Sequence, residues 1–149
     1  MKIFSVLLFL LPLFGWAFPS KNDYVKSVAY FEGSSVIMEK SVIGIDGDAF
    51  MIRTLISYRS QVISDKTIVV PSSFLYSDAK VENVLKNCES REGAITLVTI
   101  MGKTIKACEF YHEDSGLSYM IGMVPFGQVR FLEYLGAGKF LDFNVMEFR

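Results

Sequence analysis

From Tyr24 to Phe148 the chain is dominated by short apolar runs in which large side chains recur at every second position, separated by Gly, Asp, Asn and Ser. A period of two puts successive side chains on opposite faces of an extended strand, so this pattern dictates sheet wherever it persists. Tyr24 to Glu32 reads as a strand ending at Gly33-Ser34. Val36 to Ile43 is a second, with Val36, Met38 and Val42 on one face and Ile37 and Ile43 on the other. Asp46-Gly47 suits a two-residue hairpin turn, because glycine tolerates positive φ. Asp48 to Tyr58 follows with Phe50, Ile52 and Ile56 on one face, and Gln61 to Val70 is a fourth strand that Pro71 stops.

The period changes once. Ser77 is placed to cap a helix beginning at Asp78, whose carboxylate favours the positive end of the helix dipole. Val81, Val84, Leu85 and Cys88 then fall at i, i+3, i+4 and i+7, which makes them the face the helix buries against the sheet. After Gly93 the strand pattern resumes. Ala94 to Met101 and Thr104 to His112 flank Gly102-Lys103 as a hairpin, and Leu117 to Met123, Gln128 to Leu135 and Phe140 to Phe148 follow. The expected fold is mainly β: a curved antiparallel sheet or half barrel of about 8–9 strands with one helix packed on it. Several strands are apolar on both faces, so one face can take the helix while the other forms a second core or a partly open groove.

The N-terminus follows a different rule. Lys2 supplies a positive start, Ile3 to Phe14 is an apolar run interrupted only by Ser5 and Pro12, and Gly15 and Ala17 are small residues at −3 and −1 of a cut before Phe18. That is the pattern of a cleaved signal peptide over residues 1–17, and the run is shorter than the roughly 20 residues a spanning helix needs. The competing reading is an uncleaved anchor. Removing 17 residues from 149 leaves 132, enough for a single β-rich domain over residues 18–149 with no transmembrane segment. Processing implies an exported protein, in the periplasm rather than fully secreted.

Export in turn bears on the cysteines, of which there are two, Cys88 and Cys108. An even count in an oxidising compartment favours a bridge, which over a loop of about 20 residues contributes roughly 3 kcal/mol. Two buried free thiols are the alternative; the spacing is not that of a redox CxxC pair.

Two segments carry a family resemblance. Residues 95–110, Ile-Thr-Leu-Val-Thr-Ile-Met-Gly-Lys-Thr-Ile-Lys-Ala-Cys-Glu-Phe, and residues 124–130, Val-Pro-Phe-Gly-Gln-Val-Arg, resemble parts of a family of exported bacterial proteins of unknown function. The family's antiparallel sheet curls into a half barrel around a helix, broadly like lipoprotein carriers. At the turn that family tends to have Pro-Ala-Gly-Thr where this chain has Ile-Met-Gly-Lys-Thr. The resemblance implies a fold and a compartment and no reaction.

No residue set reads as catalytic, cofactor-binding or metal-ligating. His112 is the sole histidine, next to a polar turn; a zinc site would need carboxylates or thiolates beside it, and a bridge between the two cysteines would remove them from a zinc site and from a Cys-His nucleophile alike. Asp46, Gly47 and Asp48 lack the spaced acceptors of a calcium loop. Glu113 and Asp114 are adjacent, so an extended backbone aims them apart. Gly136-Ala137-Gly138 lies between two strands, where it serves as a turn and not as a phosphate cradle. With 15 basic and 16 acidic residues and no basic block, nucleic-acid binding lacks an electrostatic footprint.

Aromatic residues crowd the last third. Core packing accounts for them most simply. The sharper expectation is that Tyr119, Phe126, Phe131, Tyr134, Phe140 and Phe143 line an apolar groove for a lipid chain or the hydrophobic segment of an envelope protein. Three functional expectations follow: a non-catalytic binding or interaction module using an apolar concavity or a strand edge; a structural component of an envelope assembly whose late strands pair with another chain; and a hydrolase with an unrecognised site.

Overall fold

The computed structural model describes residues 16–17 and 20–149. The rest of the expected signal peptide lies outside the described residues, and its last two, Trp16–Ala17, form a short strand, β1. Then come β2 (Tyr24–Phe31), β3 (Ser34–Asp46), β4 (Ala49–Tyr58), β5 (Gln61–Pro71) and the short β6 (Leu75–Tyr76). After helix α1 (Asp78–Lys86) follow β7 (Ala94–Ile100), β8 (Lys103–His112), β9 (Leu117–Gly122), β10 (Gln128–Gly136) and β11 (Lys139–Phe148). β1 pairs in parallel with β6.

The remaining strands make one antiparallel nine-stranded sheet in the order β5-β4-β3-β2-β11-β10-β9-β8-β7. Two meanders, β2 to β5 and β7 to β11, each pair only neighbours in sequence. They meet at a single seam between β2 and β11, which continues past the last strand residue through reciprocal backbone bonds between Tyr24 and Arg149 at 2.9 and 3.0 Å. The sheet does not close, yet it curls far enough for β7 to touch β11.

Turn chemistry explains the small departures from the expected boundaries. The β3–β4 hairpin turn is Gly47-Asp48, because Asp46 already pairs with Ala49. The β7–β8 turn is Met101-Gly102, both at positive φ, because Lys103 already pairs with Ile100. Between β4 and β5 the turn is Arg59-Ser60, two non-glycine residues at φ 48° and 64°. Both occupy the left-handed region that the right-handed strand twist demands of a two-residue hairpin.

One core fills the curl. Val25 and Ala29 from β2, Val36, Met38 and Val42 from β3, and Phe50, Ile52 and Ile56 from β4 meet Ala107, Met120, Phe131, Leu141, Phe143 and Val145 from the other half. Neighbouring side chains on β8 part company, as a strand requires. Ala107 joins this core, whereas Cys108 and Phe110 pack with Val84 and Cys88 in a second, smaller cluster. The helix therefore covers the reverse face of β8, and the interior of the curl is filled by strand side chains together with Val124 and Phe126 from the β9–β10 connection.

Helix α1 begins as expected, with the Ser77 hydroxyl accepting from the Lys80 amide at 3.2 Å. Val81, Val84 and Cys88 are fully buried, and Cys88 is bonded to Cys108 with their Cα atoms 5.7 Å apart. The chain leaves the helix beneath this bridge through Gly93. A Cβ there would lie 2.6 Å from Cys108 Sγ, 2.9 Å from Cys88 Sγ and 3.0 Å from the Cys88 carbonyl oxygen. Gly93→Ala is therefore expected to cost about 1–3 kcal/mol, as overpacking does, and thermal unfolding of the variant measures it.

Candidate functional site

The structure does not bring the six aromatic residues of the expected groove together. Phe126, Phe131 and Phe143 are buried in the main core. Tyr119 bridges the two clusters, its ring 5.0 Å from Phe110 and 5.7 Å from the exposed His112. Only Tyr134 and Phe140 of the six are exposed, directly opposite each other on β10 and β11 with ring centroids 5.1 Å apart. Strand parity explains the division: Phe131 pairs with Phe143 and Tyr134 with Phe140, and the two pairs sit on opposite faces.

Phe126 also carries an unusual backbone. Its φ of 68° places a bulky residue in the left-handed region, a conformation that survives only where the surroundings hold it. Its buried ring is that hold, and the ring lies 5.9 Å from Nζ of Lys40.

Lys40 is the residue that the strand pattern singles out least expectedly. It follows Val36 and Met38 and precedes Val42 on the core-facing side of β3, and it is 6% exposed. Burial pulls its ammonium from 10.5 down to about 7. Tyr24 is shifted the other way, to about 12, by burial and by the carboxylates of Glu39 and Glu147. These two groups sit apart from the open cleft described next.

That cleft lies where the β2–β3 and β10–β11 turns come side by side across the seam. Tyr30, Glu32, Lys139, Phe140 and Asp142 line it, and a Cβ on Gly33 or Gly138 would meet nothing within 4 Å. Lys139 Nζ bridges to Glu32 Oε1 at 2.5 Å, joining the two turns. Asp142 stands directly opposite Tyr30, and its Oδ1 accepts from Asn144 Nδ2 at 2.8 Å and Arg130 Nε at 3.5 Å.

The second exposed feature is β5. It forms one edge of the sheet, and every residue along it is exposed or half-exposed. Ile52 on β4 is 0% exposed, but its cross-strand partner Ile68 is 48% exposed, so at this position the core stops one strand short of the edge, which it reaches only farther along at Val70. Val62 and Val69 are 60% and 63% exposed. The strand is nevertheless held: Arg53 clamps Asp65 through Nε–Oδ1 at 2.9 Å and Nη2–Oδ2 at 2.6 Å, a pair that draws the Asp65 carboxyl below its ordinary range.

The late strands expected to pair with another chain are not available for it. β10 and β11 lie inside the sheet with a neighbour on each side, because β2 returns to cover β11. Among the described residues, no helix is long and apolar enough to cross a membrane, and no group of three or more His, Cys, Asp or Glu is placed to hold a metal ion. No protein-family model matches the chain, and no curated protein matches it at a significant level.

Proposed function

We propose that this is an exported, non-catalytic interaction module of the cell envelope that captures an extended segment of a partner protein along β5. The half-exposed Ile68 opposite the fully buried Ile52 carries this reading: the core-facing side of β5 projects past the core it belongs to. Edge strands of stable monomers are normally blunted, and here the blunting brackets a usable stretch instead of removing it. A bulge at Ile63 and a proline at position 71 delimit the regular run Ser64–Val70. A partner strand added there gains main-chain hydrogen bonds and covers Ile68 and Val69, each worth about 1–1.5 kcal/mol on burial. Lys66, in the middle of the run, favours a partner with a carboxylate opposite.

The other edge is a poorer candidate, since β7 curls back to touch β11. The charged leader pattern of residues 1–17 and the Cys88–Cys108 bridge support an oxidising compartment outside the cytoplasm, the periplasm before the medium. The filled interior of the curl weighs against a lipid carrier. Native mass spectrometry of protein gently extracted from its own compartment tests the reading. A stoichiometric second chain is expected, and the double variant Val62→Lys, Val69→Lys should lose it while unfolding within about 0.5 kcal/mol of the parent. A wild-type protein recovered only as a monomer, or with lipid in place of a protein chain, sinks the proposal.

A further inference from the structure

We infer that the cleft between the β2–β3 and β10–β11 turns is a binding site for a neutral saccharide, separate from the β5 edge. Among the described residues, five large aromatic side chains are markedly exposed, and three of them, Tyr30, Tyr134 and Phe140, gather at this end of the sheet. Half-exposed rings on rigid strands are apolar faces held ready at little conformational cost. Tyr30 and Phe140 line the opening itself, while Tyr134 supports Phe140 from the opposite strand and its hydroxyl accepts from the Gly138 amide at 3.3 Å.

The polar groups narrow the ligand class. Two carboxylates enter the cleft, and each is already matched by a cation: Glu32 by Lys139 and Asp142 by Arg130. The site therefore carries no unbalanced charge with which to select an ammonium or an anion. Asp142 spends Oδ1 on Asn144 and Arg130, which leaves Oδ2 outside both contacts. Hydrogen-bonding groups held in place beside bare aromatic faces suit a ligand that has an apolar face and a rim of hydroxyls. A pyranose ring is that ligand: its axial C–H groups lie on an aromatic ring, and its equatorial hydroxyls reach fixed carboxylates. The two glycines keep the floor open, since neither puts a side chain into it.

Saturation-transfer NMR on the intact protein with chitotriose, cellotriose and maltotriose as separate probes decides the matter. At least one should bind saturably with a dissociation constant in the millimolar range or tighter, as expected of a shallow site. Tyr30→Ala and Phe140→Ala should each weaken binding about tenfold or more, and Asp142→Asn should do so by a smaller factor, all with thermal unfolding close to wild type. The inference is overturned if none of the three sugars saturates below about 10 mM. It is equally overturned if binding survives both alanine variants, or if choline saturates the cleft while the sugars do not. Because neither β5 nor its partner enters the experiment, failure here leaves the edge proposal standing.

Discussion

Lys40→Met is expected to stabilise the protein by about 2–4 kcal/mol at neutral pH and to abolish most of its stability gain on the alkaline side. The physical reason is the site in which the ammonium must sit. On the neighbouring strands it stands beside Val25 and Thr54, and the ring of Phe126 faces it. Burial lowers the folded-state value from 10.5 to about 7, so between those limits the unfolded chain holds a proton that the folded chain has released. Stability then rises with pH through this window and is lowest below about 7, where folding must bury the charge. The whole displacement corresponds to roughly 5 kcal/mol. Methionine keeps the volume and removes the charge. Urea unfolding at pH 6, 8 and 10 should show a rising curve for the wild type and a nearly flat one for the variant; a flat wild-type curve would falsify the account.

The second large effect concerns the bridge. Replacing both Cys88 and Cys108 by alanine should cost about 3 kcal/mol from the freed loop, with a further contribution from the small void left where the two sulfurs are buried. For a domain of this size that is a fall in Tm of about 10 °C. Amide exchange should show where the loss falls. Protection should drop first in α1 and the segment leading to Gly93, which reach the sheet through the small second cluster, while β2 to β5 stay protected by the main core. Uniform loss across the sheet would contradict the separation of the two clusters.

Local pattern made much of this fold legible. Alternation located each strand of the sheet to within a few residues, and the single change of period located α1, its Ser77 cap and its buried face. Even the division of the aromatic residues was within reach. Leu141, Phe143 and Val145 share one parity on β11, whereas Phe140, Asp142 and Asn144 share the other. Applied strand by strand, that rule separates core rings from surface rings, and it also exposes Lys40 as a cation in phase with Val36, Met38 and Val42. Counting aromatics over the whole last third blurred the distinction.

Other features have no local signal. The Arg59-Ser60 turn contains neither glycine nor asparagine, so its left-handed pair is imposed by the register of β4 against β5. The cleft unites residues 30–32 with residues 139–142, and the free edge falls on β5 and not on the late strands, because β11 pairs with β2. That pairing joins segments more than a hundred positions apart. No spacing within either segment announces it.

The same seam sets the order in which the molecule can be assembled. A ribosome delivers residues 24–71 long before residues 139–148, so the first meander must wait with β2 uncovered. During that interval the nascent chain presents unsatisfied amides on both flanks of a four-stranded fragment, and closure requires a long-range search of the kind that slows β proteins. The last ten strand residues, Lys139–Phe148, then act as the latch that covers β2.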